Sequence, residues 1–69
     1  MNNTVNELID KIKVIRKEKR LSQMELAKKC FVPQSTIGRI ENRSKNPSIE
    51  TLINILDALN IEIELKEKS

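Results

Sequence analysis

The chain has 69 residues, 13 Lys or Arg against 10 Asp or Glu for a net charge of +3, no His, one Cys and one Gly. That length allows a single domain with a modest core, so dimerisation would supply stability the monomer lacks. The counts exclude a Cys–His nucleophile, His-based metal-ligand spacing and a glycine-rich phosphate loop, so neither catalysis nor a cofactor is expected.

No apolar run approaches the roughly 20 residues of a membrane helix, and no signal-peptide core opens the chain. A cytoplasmic protein is expected, with Cys30 unpaired. The charge is also uneven. Residues 1–47 carry 11 Lys or Arg against 5 Asp or Glu, a surplus of +6; residues 48–69 carry 2 against 5, a deficit of −3. A basic front fits a polyanion, although solvated helix faces would give the same sums.

In chain order, Thr4 and Glu7 have capping-box spacing, and Val5, Leu8, Ile12 and Ile15 recur at steps of three and four, with Ile9 widening the stripe. This predicts an amphipathic helix over about 4–19. Ser22 and Glu25 repeat the box and open a short helix, 23–30, with Leu26, Ala27 and Cys30 inward. Pro33 ends that pattern and is placed to begin the next helix, 34–41, with Ile37 and Ile40 inside. Gln34, Ser35, Gly38 and Arg39 share its other face. Two short helices across a three-residue turn, the second polar outside, form a helix-turn-helix pattern.

Asn42–Asn46 reads as a polar loop, and Ser48 caps a last helix over about 48–59, striped by Ile49, Leu52, Ile53, Leu56 and Leu59. Ile55 and Ala58 widen that stripe beyond what one small core needs. Asn60 suits a left-handed helix end. Beyond it the period changes to two: Ile61, Ile63 and Leu65 alternate with Glu62, Glu64 and Lys66, predicting a strand. A lone strand needs an outside partner, most simply the same strand of a second copy. The alternative is a frayed helical end or a disordered tail. Residues 1–60 are thus the expected DNA-binding domain and 61–69 a dimerisation strand or tail.

The stretch LSQMELAKKCFVPQSTIGRIE, Leu21 to Glu41, resembles the phage Cro and repressor type of helix-turn-helix, the xenobiotic-response-element-like family. The resemblance spans residues 8–59. It implies an all-α, lambda-repressor-like domain of four to five helices, here followed by the C-terminal strand. It also implies roles. Gln34, Ser35 and Arg39 match positions that reach base edges, and Ser22, Gln23, Thr36, Asn42, Arg43, Ser44 and Lys45 match contacts to the DNA backbone. Arg16 and Glu41 match a structural salt bridge between the first and third helices. Ile55, Leu59, Ile61, Ile63 and Leu65 are the expected dimer contacts.

Departures from the family stand out. Arg20, Phe31 and Arg43 occupy turns where relatives often carry Gly, and left-handed backbone there costs non-glycine residues about 1 kcal/mol. Burying the Phe31 ring would reshape its turn. Gly38 is the reverse, a weak helix former in mid-helix; it either lets the helix seat deeper on DNA or is neutral.

The resemblance implies a transcriptional regulator, by default a repressor, that binds an inverted-repeat operator in double-stranded DNA as a homodimer. The alternative is an antitoxin that neutralises a partner toxin and represses its own operon; the acidic rear, with Glu50, Asp57, Glu62, Glu64 and Glu67, would then meet a basic toxin, although charges that only keep the protein soluble would look the same. A protein-interaction module without DNA binding would lack the polar face formed by Gln34, Ser35 and Arg39.

Overall fold

A computed structural model describes residues 3–68, which form four helices: α1 (Asn3–Glu18), α2 (Gln23–Cys30), α3 (Gln34–Glu41) and α4 (Ile49–Ala58). The two central helices have the bounds read from their capping and proline signals. α1 begins at Asn3, so Thr4 lies inside the helix rather than at its cap. Its buried line runs through Ile9, Ile12 and Arg16, flanked by half-buried Val5 and Ile15, while Leu8 lies at the edge. The apolar face is therefore turned slightly from the expected stripe, and it includes an arginine.

α2 is the hub, packing against both α3 and α4, while α1 packs against α3. Leu26, Ala27 and Cys30 meet Ile37 and Ile40 of α3 and Ile55, Leu56 and Leu59 near the end of the chain in one core. Small Ala27 permits a close approach of helices. The Cys30 thiol donates to the carbonyl of Asn54 at 3.7 Å, and burial pushes its pKa up from the ordinary value. It is a core filler.

All four helices end in the same way. Arg20, Phe31, Arg43 and Asn60 have φ of 58, 60, 66 and 60°. The amide of the next residue then reaches back five positions: Leu21 to Arg16 O (3.1 Å), Val32 to Ala27 O (3.1 Å), Ser44 to Arg39 O (2.9 Å) and Ile61 to Leu56 O (2.8 Å). This is the Schellman closure, usually built on glycine. Its accompanying apolar contact is present at three of the ends, where Leu21, Val32 and Ile61 pack against the core.

That closure corrects the C-terminal expectation. Ile61 seals the end of α4 instead of starting a strand, and among the described residues no strand forms; residues 61–68 have no regular structure. The alternation supplied apolar side chains, but a single chain holds no second strand to pair with. The five expected dimer contacts divide between the core and the surface. Ile55 and Leu59 are 1% and 0% exposed in the chain's own core, whereas Ile63 and Leu65 are exposed.

Candidate nucleic-acid interface

Ser22 sets the direction of α2. Its Oγ accepts from the Glu25 amide, and its own amide donates to Glu25 Oε1, both at 3.0 Å. Hydrogen bonding to its carboxylate from the Ser22 amide, and then from the Ser22 side chain, lowers the Glu25 pKa. Pro33 starts α3 with extended backbone (φ −63°, ψ 148°) and offers no side-chain cap.

The angle of α3 is held by buried polar contacts. Arg16 Nε and Nη2 donate to Glu41 Oε2 and Oε1 at 2.6 and 2.9 Å, a two-pronged ion pair between α1 and α3. Arg16 Nη1 donates to the Leu21 carbonyl at 2.6 Å, tying in the turn before α2. Gln23 Nε2 adds a bond to Glu41 Oε1 at 3.1 Å from the start of α2. Burial alone would raise the Glu41 pKa, but hydrogen bonds from Arg16 and Gln23 and the charges of Arg16 and Lys13 outweigh it, and the net shift is down. One carboxylate thus fixes α3 to both earlier helices.

With Ile37, Ile40 and Glu41 buried, the opposite side of α3 is left to Gln34, Ser35 and Arg39, all exposed. Thr36 is half-buried, and its amide bonds the Pro33 carbonyl at 3.0 Å. Gly38 is half-buried beside Gln23: a Cβ there would lie 3.5 Å from Gln23 Oε1, an ordinary contact. No crowding demands a glycine.

The loop after α3 is organised from within. Asn42 Oδ1 accepts from the Ser44 amide at 2.9 Å, and the Ser44 hydroxyl donates to the Arg39 carbonyl at 3.3 Å. Lys45 is exposed, its amide on Arg39 O at 3.2 Å. The Arg43 guanidinium reaches Asp10 of α1 at 2.5 Å. Phe31 does not bury its ring; it is 93% exposed at the turn between α2 and α3. Sequence reasoning missed the roles of Asp10 and of the Gln23 side chain, because partners 33 and 18 positions apart leave no local signal. Among the described residues no group of His, Cys, Asp and Glu could hold a metal ion, and no helix is long and apolar enough to cross a membrane.

Short capped α2, a tight turn, and an α3 buried on one side and polar on the other define a helix-turn-helix protein. A helix-turn-helix family model matches residues 12–66, and the chain belongs to that DNA-binding family, in its Cro/C1-type form. Over 53 residues it is 42% identical to the immunity repressor protein of Bacillus phage phi105, a match covering 77% of this chain and 37% of the relative. Over 59 residues it is 36% identical to antitoxin HipB of Escherichia coli O6:H1, covering 86% of this chain and 63% of the relative. The chain thus spans less than two thirds of either relative. Among solved structures, a chain of a HipA–HipB–O2–O3 complex superposes with a TM-score of 0.84 at 31% identity, over 94% of this chain and 92% of that one. A HipB variant in complex with an O2 20mer gives 0.83 at the same identity, over 94% and 90%.

Proposed function

We propose that this chain is a sequence-specific repressor that binds an inverted-repeat operator as a dimer, with α3 in the major groove. The observation that carries this reading is the divided surface of α3: Ile37, Ile40 and Glu41 anchor it, leaving Gln34, Ser35 and Arg39 exposed together. Arg39 suits a bidentate contact to guanine and Gln34 one to adenine, each worth about 1–3 kcal/mol of discrimination. Ser22, Thr36, Asn42, Ser44 and Lys45 contact phosphates, joined by Arg43 and by the backbone at Gln23. About five neutralised phosphates per subunit give a slope of log K against log salt of about −4 to −5, doubled in the dimer.

The helical body to residue 60 carries the DNA face. Dimerisation uses apolar side chains left exposed, Ile49 and Ile53 on α4 and Ile63 and Leu65 beyond it, and sets the two α3 helices about 34 Å apart. The test is a gel shift with the DNA upstream of the protein's own gene, under salt titration. Arg39→Ala should relax preference at one base position per half-site. Equal weakening on all sequences would move Arg39 to the backbone, and no binding by the wild type at low salt would sink the DNA reading.

The second reading, an antitoxin that also represses its own operon, is supported by the likeness to HipB over most of both chains. Co-purification with the product of an adjacent gene, and rescue of cells from that product, separates it from a repressor acting alone.

A further inference from the structure

Arg43, a phosphate-clamp residue, has its guanidinium already engaged. Its Nη2 donates to Asp10 Oδ2 at 2.5 Å, and the two side chains are 44% and 53% exposed. The backbone of Arg43 is fixed in the closure that ends α3, at φ 66° with its amide on Ile40 O at 3.1 Å. From that turn the side chain runs back to α1. A cation matched to a DNA phosphate therefore sits on a carboxylate of its own chain.

We propose that Asp10 is an internal competitor for the DNA phosphate at Arg43, a positioning residue that holds the clamp on α1 until DNA displaces it. The inference rests on the DNA-binding reading above. The exchange is feasible because an exposed ion pair is weak: its measured worth corresponds to about a two- to fivefold change in an equilibrium constant. A polyanion outcompetes one carboxylate, but the affinity is lowered by that factor. Salt sensitivity is lowered too, because the Asp10 carboxylate takes up a cation when Arg43 leaves it, offsetting one released from the DNA.

The test is a titration of the upstream duplex with wild type, Asp10→Asn, Arg43→Gln and the double variant at several salt concentrations. All the changes lie at exposed positions, and melting curves check that each variant folds. Asp10→Asn should tighten binding about two- to fivefold and steepen the salt slope by up to about one unit per subunit. In the Arg43→Gln background the same substitution should change affinity less than about twofold. Unchanged or weaker binding by Asp10→Asn, with the wild type still binding, overturns the proposal. So does an equal gain in the Arg43→Gln background, which would mark plain repulsion between Asp10 and the DNA. A wild type that binds no duplex at low salt removes the DNA reading itself and this inference with it.

Discussion

Phe31 carries the most unusual combination of properties at the residue scale. A β-carbon-bearing aromatic holds left-handed backbone at φ 60°, and its ring gains almost nothing in burial, at 93% exposed. The closure of α2 needs the conformation, not the side chain. Phe31→Gly should therefore stabilise the fold by up to about 1 kcal/mol, the relief of left-handed strain being partly offset by the greater freedom of glycine in the unfolded chain. Thermal unfolding would read this as a rise of at most about 4–8 °C; a clear fall would mean that the ring packs on something. Glu41 makes the opposite case, a side chain whose every bond matters. Its folded pKa is lowered, so its contribution is fully present above the ordinary value of 4.5 and is lost as pH falls through the folded value. Denaturant melts should show stability declining below about that pH. Glu41→Gln should cost about 1–3 kcal/mol at neutral pH and flatten the acid decline.

The eight-residue α3 is too short to be stable alone, at the scale of elements, because helix nucleation is unfavourable and few bonds repay it. Burial of Ile37 and Ile40 and the Arg16–Glu41 ion pair hold it in place. Gly38 works against it. Since a Cβ at that position meets only Gln23 Oε1 at an ordinary 3.5 Å, Gly38→Ala should raise stability by about 1 kcal/mol through helix propensity. Calorimetry beside the DNA titration distinguishes the two readings of this residue. Raised stability with unchanged affinity makes the glycine neutral, while raised stability with lost affinity means the helix seats on the DNA through that gap.

The whole molecule leaves apolar surface that its own core does not use. Ile49, Ile53, Ile63 and Leu65 are 77%, 48%, 54% and 93% exposed, and pairing of two copies would take such apolar side chains out of water. If the proposed dimer forms through these side chains, the double substitution of Ile63→Ser and Leu65→Ser should shift sedimentation from dimer to monomer and weaken DNA binding. It should leave helical content intact, because neither side chain belongs to the core. A dimer that persists would transfer the interface to the exposed stripe of α4.

Local chemistry made much of this architecture legible before any coordinates. The Ser22–Glu25 capping box, Pro33 and the 3.6-residue apolar spacing act over a single turn, so the extents of α2 and α3 and their inward sides could be read without knowing the packing. Helical spacing likewise put Gln34, Ser35 and Arg39 on the outer side of α3, while only the family resemblance, with glycine often at the positions of Arg20, Phe31 and Arg43, pointed to left-handed turns there. Only the tertiary structure decided the rest. The alternation after Asn60 was ambiguous because Ile61 is claimed by the end of α4 and a strand needs a partner. Ile55, read as widening the α4 stripe, and Leu59, expected at a dimer contact, lie in the chain's own core. The joining of Asp10 to Arg43 and of Gln23 to Glu41 depends on how α1, α2 and the loop after α3 meet in space. Periodicity tells which face of a helix is apolar; the packing of one helix against another sets which distant polar groups come within bonding distance.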